Sequence, residues 1–178
     1  MATHIAILRG INITGHKIIR MEALRTSFEA LGFRRVKTYV QSGNVIFDSG
    51  KDGNLAGKIE KKILADFGFN VSVLVKTPKE TAQVIRDNPF PKLPGVDHAR
   101  LYVTFLSALA PSNAEDVLKG LATKQERFHV GRREIYLYCP IGYGKTKLSN
   151  TAIEKKLDVV ATTRNWRSVN ALLALAQP

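Results

Sequence analysis

The chain has 178 residues, 44% of them hydrophobic and 24% charged, with a formal net charge of +12. This is the balance of a folded globular protein with one sizeable core or two small ones. The single cysteine, Cys139, excludes an internal disulfide and makes a zinc cluster an unsuitable reading. No apolar run approaches the length of a membrane span.

The start of the chain runs directly into Ile5-Ala6-Ile7-Leu8, too short for a signal-peptide core and without a cleavage site. The expected location is therefore cytoplasmic, with no membrane partner. The positive surplus is shared evenly: residues 1–90 hold 14 basic and 8 acidic groups, and residues 91–178 hold 13 and 7. Such a surplus concentrates anionic partners, nucleic acid or an anionic small molecule among them. It also serves plain solubility, and its even spread marks no dedicated basic arm.

Ile5–Leu8 reads as a buried strand. Met21, Leu24, Phe28 and Leu31 recur at helical spacing and lead to Gly32, a helix-stopping glycine. Val36–Val40 and Val45–Phe47 flank Gln41-Ser42-Gly43-Asn44 and predict a hairpin. Gly50 to Asn54 is a loop of turn formers. Ile59, Ile63, Leu64 and Phe67 mark a second helix closed by Gly68, and Val71–Val75 a further strand. The order is β-α-β-β-α-β, the ferredoxin-like arrangement.

Thr77-Pro78-Lys79-Glu80 is a capping-box helix start. That helix stops by Asn88-Pro89, and Asn88–Gly95, with three prolines and a glycine, reads as a linker. The order then recurs. Leu101–Leu106 is a strand, and Pro111-Ser112 with Glu115 starts a helix. Arg127–Val130 and Glu134–Cys139 form a hairpin, and Thr151 with Glu154 caps a short helix. Val159-Val160-Ala161 closes the sheet, and Trp166, Val169, Leu172 and Leu173 make the terminal helix amphipathic. The expectation is an α+β protein with two similar ferredoxin-like subdomains plus a C-terminal helix. Residues 1–88 form the first subdomain with its linking helix, and 96–178 the second with the terminal helix. The halves share an order of elements and no repeated sequence.

Three segments carry candidate chemistry. Arg9-Gly10-Ile11-Asn12-Ile13-Thr14-Gly15-His16-Lys17 sets backbone-exposing glycines among basic side chains, where arginine offers a planar fork for phosphate or carboxylate. Its spacing is not a dinucleotide fingerprint. The alternative is a strand end and turn whose arginine anchors carbonyls. Gln41-Ser42-Gly43-Asn44 places hydrogen-bonding side chains around a glycine, for turn geometry or for a ligand. Thr162-Thr163-Arg164-Asn165-Trp166 is read as opening the last helix, with Thr163 or Asn165 as its cap and Arg164 and Asn165 available for an exposed role.

Gly142-Tyr143-Gly144-Lys145-Thr146-Lys147 fails the phosphate-loop pattern because Cys139 stands where a glycine is required, and it reads as a solvated basic loop. His4, His16, His98 and His129 lie at unrelated spacings; no metal site or cofactor is expected, and no catalytic constellation stands out. Cys139 falls in register with Ile135 and Leu137 and reads as core.

At these residues the chain resembles the bacterial domain of unknown function 1697 family. The resemblance rests on Leu8-Arg9-Gly10-Ile11-Asn12 with Gly15, Met21 and Leu24, Leu31-Gly32-Phe33, Thr38-Tyr39-Val40-Gln41-Ser42-Gly43-Asn44-Val45 and Thr163-Arg164-Asn165-Trp166. It implies an α+β fold of two similar subdomains and a set of motif positions, and it implies no activity. Thr14 stands where the family usually has glycine, and Val40 where isoleucine is common.

The sites together predict an anionic ligand, nucleic acid or nucleotide-like, in a basic polar cleft. Arg9 and Arg164 would contact the anion, and Asn12, Gln41, Asn44 and neighbouring Ser42 and Asn165 would supply hydrogen bonds. Gly10, Gly15 and Gly43 would allow backbone approach. The rival readings are an enzyme acting on a small phosphorylated or carboxylated substrate, and a protein-interaction module whose loops serve only as staples. The oligomeric state is not legible.

Overall fold

The computed structural model describes residues 1–50 and 53–178. Its first half runs β1 (Ala2–Leu8), α1 (Met21–Ala30), β2 (Arg34–Tyr39), β3 (Asn44–Ser49), α2 (Leu55–Phe67), β4 (Val73–Lys76) and α3 (Pro78–Asp87). The second half runs β5 (Leu101–Leu106), α4 (Ala114–Lys119), β6 (Arg127–Val130), β7 (Glu134–Tyr138), α5 (Asn150–Leu157), β8 (Ala161–Asn165) and α6 (Trp166–Ala176). The protein is α+β, with two four-stranded antiparallel sheets ordered β2-β3-β1-β4 and β6-β7-β5-β8. The β-α-β-β-α-β order holds in each half, and the C-terminal helix follows. Of the loop expected at Gly50 to Asn54, Lys51 and Asp52 lie outside the described residues.

The chain divides into two compact units, residues 1–82 with 172–178, and residues 83–171. In the first, β1 is an inner strand paired to β3 and β4, which explains why Ile5-Ala6-Ile7-Leu8 is uninterrupted apolar sequence: all four side chains are buried. Ala6, Leu8, Val45 and Phe47 pack with Leu24 and Phe28 of α1 and Ile59 and Ile63 of α2. The Phe28 and Phe33 rings lie 5.3 and 4.5 Å from that of Phe47. Each such aromatic contributes about 1.5–3 kcal/mol by burial, and the ring geometry adds to it.

The second unit has its own core, Leu106, Ile135, Leu137 and Cys139 from the sheet and Leu118, Ile153 and Leu157 from the helices. Cys139 belongs to this core, immediately beyond the end of β7, and its amide donates to the Arg100 carbonyl. Burial pushes its thiol up to about 11.

Several boundaries differ from the sequence reading for identifiable reasons. The Thr77–Glu80 capping box is present: Thr77 N donates to the Glu80 carboxylate at 2.7 Å, and Glu80 N donates to Thr77 Oγ1 at 3.1 Å. The second box is not. Ser149 caps α5, accepting from Ala152 N, while Glu154 accepts from Ala161 N at the start of β8. Helix α4 begins at Ala114 rather than at Pro111-Ser112. The closing strand is Ala161–Asn165 rather than Val159–Ala161, so Thr162, Thr163 and Arg164 are strand residues and do not open a helix. Asn165 does cap α6, accepting from Ser168 N at 2.8 Å.

Candidate functional site

In the first unit β1 ends against two neighbours. Leu8 N donates to Gly43 O at 2.8 Å, and Arg9 N donates to Ser72 O at 2.9 Å. The backbone of Arg9 is thereby fixed between the β2–β3 turn and the lead-in to β4, with its side chain half-buried.

The chain then folds back on itself. His16 N donates to Ile13 O at 2.9 Å across a turn whose central residues, Thr14 and Gly15, both have left-handed backbone. Lys17 Nζ donates to Asn70 O at 2.6 Å and holds the far side of this turn to the chain before β4.

Asn12 joins this segment to the β2–β3 turn. Its Nδ2 donates to Ile19 O at 2.9 Å and to Gln41 O at 2.8 Å, and its Oδ1 accepts from Ile19 N at 2.8 Å. Asn12 N also donates to Lys17 O. Asn44 does the equivalent work inside the turn: fully buried, its Nδ2 donates to Tyr39 O and to Ser42 Oγ, both at 3.0 Å. Gly43 has no room for a side chain. A Cβ there would lie 2.8 Å from Leu8 Cβ and 2.9 Å from Ile11 Cδ1, and its φ is +86°. Gly10 is the opposite case, with φ +70° and nothing within 4 Å of an added Cβ.

The Arg9-Gly10-Ile11-Asn12 segment is thus joined to Gln41-Ser42-Gly43-Asn44 at one end of the first sheet, and Gly15 lies in the turn beyond Asn12. Gln41 and Ser42 are exposed there, while Asn44 and Gly43 are buried beneath them. Asn12, Thr14, Lys17 and Val40 all have φ between +46° and +54° without being glycine. Thr14 and Val40 are β-branched, for which this conformation is an outlier.

Arg164 and Asn165 lie in the second unit, opposite Val103 and Tyr102 of β5. Contrary to the exposed role expected of it, Arg164 is buried, because its Nη1 donates inward to Thr162 Oγ1 and Thr163 O, both at 2.9 Å. On the other face of β8, Thr163 Oγ1 donates to Asn150 Oδ1 at 2.6 Å and shares a 2.7 Å hydrogen bond with Thr104 Oγ1, with Tyr143 OH 3.2 Å from Thr163 Oγ1. Sequence reasoning missed this network. Its members come from four separate elements, and only the register of β5 against β8 brings Thr104 and Thr163 side by side. Gly142–Lys147 forms a single tight turn with Lys145 and Lys147 exposed.

Residues 1–136 match the family described as protein of unknown function DUF1697, and the chain belongs to that family. The chain is similar in structure to the conserved bacterial protein SP0830 from Streptococcus pneumoniae, with a TM-score of 0.78, 21% sequence identity and 98% of each chain covered. At that identity the likeness establishes the fold. No curated protein matches the chain. Among the described residues no helix is long and apolar enough to cross a membrane.

Proposed function

We propose that the protein binds an anionic ligand, nucleic acid or nucleotide-like, on the loop end of the first unit. The observation that carries this reading is the concentration of left-handed, non-glycine backbone in the two loops around Arg9: Asn12, Thr14, Lys17 and Val40. Such residues cost of order 1–3 kcal/mol each and persist where a particular loop shape is held for use. Arg9 would supply the charge, Gln41 and Ser42 the orienting hydrogen bonds, and Gly10 the backbone approach. Asn12, Gly43 and Asn44 would act by holding these in place, with Gly15 completing the turn. Arg164 and Asn165 stand outside this proposal: Arg164 is buried and bonded to Thr162 and Thr163, and Asn165 caps α6.

The test is fluorescence anisotropy with a labelled single-stranded oligonucleotide, with a nucleoside triphosphate as competitor, at several salt concentrations. Arg9→Ala is expected to weaken binding about tenfold or more, the loss of one charge-assisted hydrogen bond. Gln41→Ala, an exposed substitution that leaves the fold intact, is expected to change the preference between anions. Lys61→Ala on the exposed side of α2 is the control. All arms weaken with salt because phosphate contacts release counterions. If Lys61→Ala matches Arg9→Ala, only diffuse charge is at work and the proposal fails.

A further inference from the structure

The surface of the second unit carries an open hollow of about 380 Å³. It opens between the segment leading into α4 and the β6–β7 turn. Leu109, Ala110, Pro111 and Val130 supply an apolar lining, and Glu115 and Arg132 supply one charge of each sign. Its volume lies at the small end of the range for small-molecule sites, about 300–1,000 Å³.

The turn that forms one wall is held by the main chain. Ala110 N donates to Arg132 O at 2.8 Å, Leu106 N to Arg133 O at 2.9 Å, and Gly131 N to Glu134 O at 2.8 Å. The Glu134 carboxylate folds back over the turn to accept from the amides of Arg132 and Arg133, in space that a side chain at position 131 would fill. Arg132 is therefore anchored through its backbone and Glu134 is already engaged. Neither the Glu115 carboxylate nor the Arg132 guanidinium takes part in an ion pair or side-chain hydrogen bond among the described residues.

We infer that this hollow binds a small zwitterion, a ligand with a carboxylate and an ammonium on a short aliphatic body, as in a free aliphatic amino acid. A simple anion meets Arg132 and is opposed by Glu115, and a simple cation meets the reverse. A neutral apolar molecule fills the lining and leaves both charges to solvent. A ligand carrying both signs engages the rim and the lining together.

The experiment is an amide-resonance titration of the whole chain with glycine, alanine, valine and leucine. The controls are 4-methylpentanoate, which lacks the ammonium, and 3-methylbutylamine, which lacks the carboxylate. At least one of the larger amino acids is expected to give saturable shifts at Ala110, Ala114, Val130 and Gly131. Each control is expected to bind about tenfold or more weakly, the loss of one charge-assisted contact. Glu115→Gln should remove the advantage of the amino acid over 4-methylpentanoate, and Arg132→Gln its advantage over 3-methylbutylamine. Both positions are exposed, so both variants are expected to fold. No saturable shift with any of the four amino acids, or an unchanged preference in both variants, overturns the inference.

Discussion

The side-chain amide of Asn12 donates to the main-chain carbonyl of Gln41 at 2.8 Å, linking two loops that stand 29 residues apart in the chain. The same side chain closes its own loop through both polar groups of Ile19. Asn12→Ala leaves these three backbone groups without their partner and places alanine at φ +54°. A loss of about 2–4 kcal/mol is expected, from three unmade hydrogen bonds at exposed or partly buried groups and the backbone strain. Asn12→Gly keeps the hydrogen-bond loss and relieves the strain, so it should fall closer to wild type. Urea unfolding measures both, and equal stability of wild type and Asn12→Ala would remove Asn12 from its role as the link.

The glycines of the two loops make a sharper comparison. Gly43→Ala adds a methyl group within 3 Å of Leu8 and Ile11, in the buried turn, and does so at a positive φ. A cost of about 2–4 kcal/mol follows from strain and overpacking together. Gly10→Ala meets open space and carries only the conformational term, about 1–2 kcal/mol. Thermal unfolding of the two variants should rank Gly43→Ala well below Gly10→Ala. The reverse order would mean that the Leu8–Gly43 contact is looser than described.

Acid stability has an identifiable contributor in Asp48. Hydrogen bonds from the Arg35 guanidinium hold its carboxyl below the usual range; Thr3 adds a further bond and burial opposes them. The ionised form is therefore favoured by folding. The stabilisation is fully present above the unfolded carboxyl value, about pH 4, and is lost as pH falls through the lower folded value. Asp48→Asn should thus destabilise the protein near neutral pH and approach wild type once both states are protonated. Urea midpoints at neutral and strongly acid pH report this, and a gap of equal size at both would assign the effect to packing.

Cys139 should be inert in the native state. Its side chain is fully buried, and burial holds the thiol protonated up to about pH 11. Labelling with a thiol reagent near pH 8 is expected to be slow until denaturant is added, because the thiolate is the reactive species. Rapid stoichiometric labelling of the folded chain would contradict the buried placement.

The elements legible in the sequence were those whose signals are local. The Thr77–Glu80 box, the helix-ending Gly32 and Gly68, and the apolar run Ile5–Leu8 need only a few neighbouring residues to be read. The Thr151–Glu154 box has the same spelling and a different outcome, because Glu154 is drawn to the amide of Ala161, seven residues on. Strand β8 was displaced in the reading because Ala161-Thr162-Thr163-Arg164-Asn165 lacks an apolar alternation. Its polar side chains are accommodated by cross-strand and neighbouring partners that exist only in the folded sheet. At the candidate site, the glycines pointed to the loops. The linking role of Asn12 and the left-handed conformations of Thr14 and Val40 were invisible, since they run against the local preferences of those residues.

Among the described residues strand β2 pairs only with β3 and so forms an edge of its sheet, and Arg34, Arg35 and Lys37 along it are exposed. The pairing register shifts between Arg34 and Lys37, where Arg35 turns left-handed. A bulged, cationic edge is a poor template for a further strand: a second copy laid alongside would oppose like charges and find the hydrogen-bond spacing interrupted. The residues that give this strand its basic character thereby also act as gatekeepers against strand-by-strand fibril growth. That protection weakens at high ionic strength, where screening removes the repulsion and leaves only the bulge.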